Sequence, residues 1–226
     1  MTPAIRKRLA QILFLVLLQA IILFVSIGKW SWWNAWAYLG LYLAFLIFNA
    51  VILIGKHKEV VEERSRVGEG AKGWDKIIGA VGMIGGFLIL ILAGLDERFS
   101  WPGAIRTEVQ ITAFILMAIT YPIFTWAMVS NKFFSTIVRI AKDRGHTVQT
   151  GGPYRFVRHP GYFSLLCSYI TIPIALGSLW ACISMTLLVV NLFVRTALED
   201  RTLQNELAGY KEYAARVRYR LIPGVW

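Results

Sequence analysis

The chain has 226 residues, 57% of them hydrophobic and only 16% charged. Soluble domains of this size carry about 25% charged residues, so the composition excludes an ordinary soluble globule and points to an integral membrane protein. Lys and Arg outnumber Asp and Glu by 24 to 13, a balance that would suit nucleic acid if the charges formed one exposed face.

The first apolar run, Leu9–Ile27, is long enough to cross a hydrocarbon core of ~30 Å as a helix. No cleavable leader is expected, because no convincing small-x-small site follows it. A link rich in tryptophan (Trp30, Trp32, Trp33, Trp36), of the kind that anchors at a bilayer interface, leads to the second run, Ala35–Ile54. The charged segment Gly55–Lys76 comes next, then a third run, Ile77–Leu95, where Gly79, Gly82, Gly85 and Gly86 predict close helix contact. The polar link Asp96–Arg106 turns at Trp101-Pro102-Gly103 into the fourth run, Thr107–Val129, in which Pro122 predicts a kink. Tyr162–Val194 is nearly all apolar and breaks at Gly177-Ser178, which predicts a tight hairpin of two short spans, with a re-entrant hairpin as the alternative. Arg195–Trp226 turns polar and helical and stops at Pro223.

Counting basic residues orients these runs. The N-terminus holds three, residues 55–76 six, 130–161 six and 195–226 six, so 21 fall on one side and only Lys29, Arg98 and Arg106 on the other. That asymmetry predicts six transmembrane helices with both termini cytoplasmic, an all-α integral membrane fold ending in a helical hairpin and a cytoplasmic C-terminal helix. It also accounts for the positive charge without nucleic acid. Residues 1–104 then hold helices one to three. Residues 105–226 form a core of helix four, a cytoplasmic loop over 130–161, the hairpin over 162–194 and the C-terminal segment. Cys167 and Cys182 lie in apolar runs without metal-type spacing and read as core thiols; no metal is expected.

Chemistry concentrates between Arg144 and Tyr162, where basic, aromatic, glycine and proline residues are densely mixed. Gly151-Gly152-Pro153 and His159-Pro160-Gly161 are turns, and His146 and His159 are two of three histidines in the chain. Beyond the hairpin, Arg195 and Glu199 share a helix face at the membrane boundary, as a simple ion pair or as part of a site. There is no phosphate-binding glycine loop, nucleophile elbow or zinc spacing.

The run Gly152-Pro153-Tyr154-Arg155-Phe156-Val157-Arg158-His159-Pro160-Gly161-Tyr162, the apolar hairpin, Arg195-x-x-x-Glu199-Asp200 and Gly209-Tyr210-x-x-Tyr213 together resemble the isoprenylcysteine carboxyl methyltransferase family. The phospholipid N-methyltransferases share the general plan, and the resemblance covers roughly residues 130–226. It implies that 105–226 is a methyltransferase core that binds S-adenosyl-L-methionine between helix ends and the 130–161 loop. His146, Thr147, Val148 and Gln149 match the family's cofactor-contacting segment ahead of Tyr154. His159, Pro160, Gly161 and Tyr162 match its His-Pro-x-Tyr, and Glu199 its cofactor-binding glutamate. Arg195 matches the arginine associated with the substrate carboxylate. Asp200 stands where a second glutamate is often seen, and Arg139 where an amide is expected, so neither is assigned to the site.

The residue types suit such chemistry. A carboxylate is already ionised at neutral pH and needs alignment rather than a general base. An amine acceptor needs deprotonation, and no base stands out near Arg195. The expected partners are a lipophilic methyl acceptor entering from the bilayer and the membrane lipids; oligomeric state is left open. Three other readings stay open: a phospholipid or amine N-methyltransferase, a sterol-type membrane reductase, and a non-enzymatic membrane protein.

Overall fold

A computed structural model of the chain describes residues 2–65 and 70–226. Residues 66–69, and with them Arg66 of the charged segment, lie outside the described residues. Those described form eight α-helices and no strand: α1 (Pro3–Ile27), α2 (Trp33–Lys56), α3 (Lys58–Ser65), α4 (Gly73–Phe99), α5 (Thr107–Ser130), α6 (Pro160–Ala175), α7 (Ala181–Glu206) and α8 (Tyr210–Arg216). Among the described residues, α1, α2, α4, α5 and α7 are long and apolar enough to cross a membrane, and α6 is a shorter apolar helix.

Local chemistry sets several ends. Thr2 caps α1 by accepting from the Ile5 N–H at 3.3 Å, with Pro3 at the first position, where its missing N–H costs nothing. The hairpin turn needs Gly177, whose φ is +81°. The hairpin is less symmetric than the apolar run suggested. α6 has 16 residues, but α7 has 26 and continues well past Val194. Apolarity ends where the bilayer would, whereas hydrogen bonding carries the helix on, so Arg195, Glu199 and Asp200 are held on one rigid rod.

α5 packs chiefly on α6, and α4 on α7 and α1. Leu23, Ile89, Ala93, Met117 and Leu188 lie at the centre of the main core, each essentially without exposure. Of the four glycines singled out, Gly85 makes the expected close approach: a Cβ there would stand 2.7 Å from Leu188 on α7. Gly79 and Gly86 face open space, while Gly94, outside the expected set, abuts Ser26 on α1. Outward faces carry Leu13, Phe14, Ile47, Val51, Ile119 and Val190, an apolar surface suited to lipid. Trp30, Trp33 and Trp36 are exposed, whereas Trp32 is buried in the core.

The two ends of the bundle differ. At one, Lys29 pairs with Glu97 at 2.9 Å, and Asp96 accepts from Ser178 Oγ at 2.6 Å. At the other, the start of α1, the ends of α2 and α5, and α3 share a second core of Ile5, Leu53, Val60, Val61 and Met128. The chain from Asn131 to His159 returns over this second end.

Candidate active site

Tight turns shape the floor of the site. Gly152 has φ +59°, and a Cβ there would come within 2.3 Å of Ser130 Oγ, so only glycine fits. It opens a 3-10 turn, Gly152–Arg155, that brings Tyr154 against the end of α5. At Gly161 a Cβ would strike the Phe134 ring at 2.8 Å, so this glycine admits an aromatic wall.

Of the eleven residues expected from the sequence, nine line one polar pocket: His146, Thr147, Val148, Gln149, Tyr154, His159, Gly161, Tyr162 and Glu199. Pro160 is fully buried at the first position of α6 and does not reach the lining. Arg195 stands just outside, its guanidinium 5.5 Å from the centre of the Tyr162 ring. The pocket also takes Asn131, Phe133, Phe134, Leu203, Tyr210 and Tyr213, which the sequence reading missed as lining residues. Tyr210 and Tyr213 stood in the motif that carries the family resemblance without being assigned to the site, and the adjacent Phe133-Phe134 pair after a helix end was a further signal.

Within the pocket, Glu199 accepts from the Tyr162 hydroxyl at 2.5 Å. The His159 ring stacks on Tyr162 at 5.7 Å, with Nε2 3.4 Å from Asp200 and Nδ1 3.9 Å from Glu199. The imidazole of His146 stacks on Phe133 at 4.4 Å, and its Nδ1 accepts from the Ala141 N–H at 3.3 Å. That bond leaves the proton on Nε2, where it can be donated to a ligand. Burial, then repulsion from Arg139 and Arg144, lowers the His146 pKa below its ordinary 6.5, against an opposing pull from Glu63. The ring is therefore neutral at pH 7. Tyr154 donates to Ala127 O at 3.4 Å and accepts from Asn131 at 3.3 Å; burial raises its pKa. Its hydroxyl is thus structural, and its ring is the part that meets the pocket.

Behind the pocket, Asp200 is completely partnered. Arg158 donates to both its oxygens, at 2.8 and 3.0 Å, and Arg220, Gln204 and Tyr210 donate at 3.0, 2.8 and 3.0 Å. Arg158 spends its remaining nitrogen on the carbonyls of Val217 and Arg218. The C-terminal segment is tied in again where the Arg158 and His159 N–H groups donate to Tyr219 and Arg220 carbonyls, both at 2.9 Å.

In front of the pocket the situation is reversed. Arg195 forms its ion pair with Asp75 of α4, at 2.9 Å, rather than with Glu199, and donates to Thr136 O at 2.9 Å. Among the described residues, Thr136 Oγ1 and Arg195 Nε are buried without a hydrogen-bond partner, and Asp75 Oδ1 has only its ion pair with Arg195. All three belong to this one group of touching residues. Unsatisfied buried polar atoms are rare and costly, and their concentration here marks a place built for a further partner.

Two acids from the first half of the chain hold the loop that carries Thr136 and His146. The other Asp75 oxygen accepts from the Val138 N–H at 2.8 Å. Glu63 of α3, 3% exposed, accepts from Arg139 at 2.8 and 2.9 Å and from Arg144 at 2.9 Å. Neither acid carried a recognisable signal, because both sit in a segment whose charges nearly balance.

Residues 111–205 match the family model described as the Isoprenylcysteine carboxyl methyltransferase (ICMT) family. The likeness to this family is therefore that of residues 111–205. No curated protein matches the chain. The matched stretch contains α6, α7 up to residue 205 and every pocket residue expected from the sequence, whereas Glu63 and Asp75 lie ahead of it. The methyl donor of the family is S-adenosyl-L-methionine, and the chain is a multi-span membrane methyltransferase dependent on it.

The pocket lining offers a carboxylate, Glu199, aromatic rings, Phe133 and Tyr162, and the Nε2–H of His146, group types chemically compatible with an ammonium, a sulfonium and an acceptor oxygen.

Proposed function

We propose that this protein transfers methyl to the carboxylate of a lipophilic acceptor, such as an isoprenylated cysteine, at the cytoplasmic face of a six-span bundle. The observation that carries the reading is the cluster of orphaned polar atoms at Arg195. Arg195 Nε and the Thr136 hydroxyl are both buried donors without a partner, and an anionic oxygen is the group that satisfies such donors. Asp75 and the Thr136 carbonyl hold Nη2 of the guanidinium, and Nε is the nitrogen left without a partner.

The assigned roles follow from the same contacts. His146, Thr147, Val148, Gln149, Tyr154, His159, Gly161, Tyr162 and Glu199 would hold the cofactor, with Pro160 setting the start of α6, and Arg195 would align the acceptor. S-adenosylmethionine supplies a methyl group on a sulfonium, and the acceptor oxygen is already anionic, so the protein removes no proton. Its residues would exclude water and hold the acceptor oxygen in line with the methyl carbon and the sulfur that leaves as a neutral thioether. An amine acceptor would meet a cationic arginine at this position, which disfavours the phospholipid-type alternative. The inside-positive distribution and the gathering of α1, α3 and the 131–159 chain at one end support cytoplasmic termini.

The test is methyl transfer by purified full-length protein to a farnesylated cysteine acid and, separately, to a phospholipid amine. A base-labile product that releases labelled methanol is expected from the acid. Base-stable product alone would overturn the carboxylate assignment.

A further inference from the structure

A second cavity, of about 410 Å³, lies among α1 to α7, lined by apolar side chains such as Leu53, Phe87, Leu165 and Ile172. Its lining includes two cations, Arg8 and Arg64. The Arg64 guanidinium stands 5.6 Å from the Phe124 ring centre and 5.4 Å from that of Phe134. Phe124 lines the apolar cavity and Phe134 the polar pocket, so Arg64 sits where the two spaces adjoin.

Its neighbours make the position unusual. Arg139 and Arg144 share Glu63, and Arg195 has Asp75. Among the described residues Arg64 has neither an ion pair nor a hydrogen bond; its partners are two ring faces. Burial of its charged end, then repulsion from Arg8, brings its pKa down to about 9, and Arg195 is close enough to repel it too. It is still cationic at pH 7. Ring faces offset only part of the cost of a desolvated guanidinium, whereas an anion offsets most of it.

We propose that Arg64, on α3 and outside the stretch that matches the family, is a second cationic partner of the acceptor carboxylate and sets the preference for acids over neutral head groups. This rests on the carboxylate reading above. With the apolar tail in the larger cavity, the head group emerges between Arg64 and Arg195. Each guanidinium can take one edge of the carboxylate, and their mutual repulsion falls when it arrives. Arg64 thus acts on binding and selection, while Arg195 aligns the reacting oxygen.

The experiment compares N-acetyl-S-farnesylcysteine with its carboxamide, which keeps the tail and removes the charge. Binding of each is measured on the full chain in detergent with S-adenosylmethionine present. Wild type is expected to favour the acid by about tenfold or more, the range for a charge-assisted contact. In Arg64→Gln the ratio should fall to within about threefold, with amide and cofactor affinities unchanged, and Arg64→Lys should restore part of it. A ratio kept in Arg64→Gln overturns the role of Arg64 and leaves the carboxylate reading standing. A wild type without acid preference overturns both. Should Arg64→Gln fail to fold, phenylglyoxal labelling of wild type decides: the acid should protect Arg64 and the amide should not, and equal labelling with both overturns the proposal.

Discussion

Two buried arginine–aspartate pairs lie on opposite sides of the pocket, and they are built differently. Arg158 and Asp200 satisfy each other and every remaining donor around them, drawing in α8 and the C-terminal segment. Arg195 and Asp75 touch at the same kind of distance yet leave two buried donors in their group, Arg195 Nε and the Thr136 hydroxyl, without partners. A buried charge pair that is fully hydrogen-bonded fixes geometry, and breaking it costs several kcal/mol. A pair left incomplete keeps a donor available at the cost of stability. On this comparison, Asp200 is scaffold although it follows Glu199 in sequence, and Arg195 is site although it lies outside the pocket lining.

The sharpest way to break the comparison is to remove the satisfied carboxylate. Asp200→Ala strands Arg158 in the interior, leaves Arg220 without its anion and should lower stability by about 3–5 kcal/mol, read as thermal unfolding in detergent. A variant of unchanged stability that merely loses methyl transfer would put Asp200 in the site instead. Glu199→Gln should do the opposite: S-adenosylmethionine binding weakens by about 1.5–3 kcal/mol in calorimetry, while unliganded stability holds. Unfolding without a binding defect would make Glu199 scaffold.

The smallest effect is a pH dependence at the loop that both acids of the first half hold in place. Because the folded pKa of His146 lies below its ordinary 6.5, the unfolded chain takes up the proton first. The stability it contributes is complete above about pH 7 and declines as pH falls through about 6.5 towards the folded value. Protonation also ends the bond from the Ala141 N–H. Cofactor affinity should therefore weaken on going from pH 7.5 to 5.5, by less than about 1 kcal/mol, and His146→Gln should flatten the profile. A profile unchanged by that substitution would assign the pH effect elsewhere.

Much of this was legible in the sequence, for a physical reason. Apolar runs of bilayer length, and a loop whose glycines and prolines restrict the backbone, act through local rules. The five long helices, the short α6 and the Gly152 turn follow directly from them. Long-range pairing was not legible. Glu63 and Asp75 reach Arg139, Arg144, Val138 and Arg195 across sequence gaps of 60 residues or more, and nothing in a charge-balanced segment says which of its acids will be buried. The end of α7 was legible in part: apolarity stops near Val194, yet the spacing of Arg195 and Glu199 had placed both on one helix face, as α7 does.

The most direct test of the account is Arg195→Lys, which keeps the charge and removes the planar fork. Labelled methyl transfer to a farnesylated cysteine acid and calorimetric S-adenosylmethionine affinity are measured on one preparation of full-length protein. The account expects ester formation to fall by at least about tenfold, or ~1.4 kcal/mol, with cofactor affinity within about threefold and unfolding temperature nearly unchanged. Ester formation at the wild-type rate would contradict it, because the incomplete pair would then be no more than a poorly satisfied part of the scaffold.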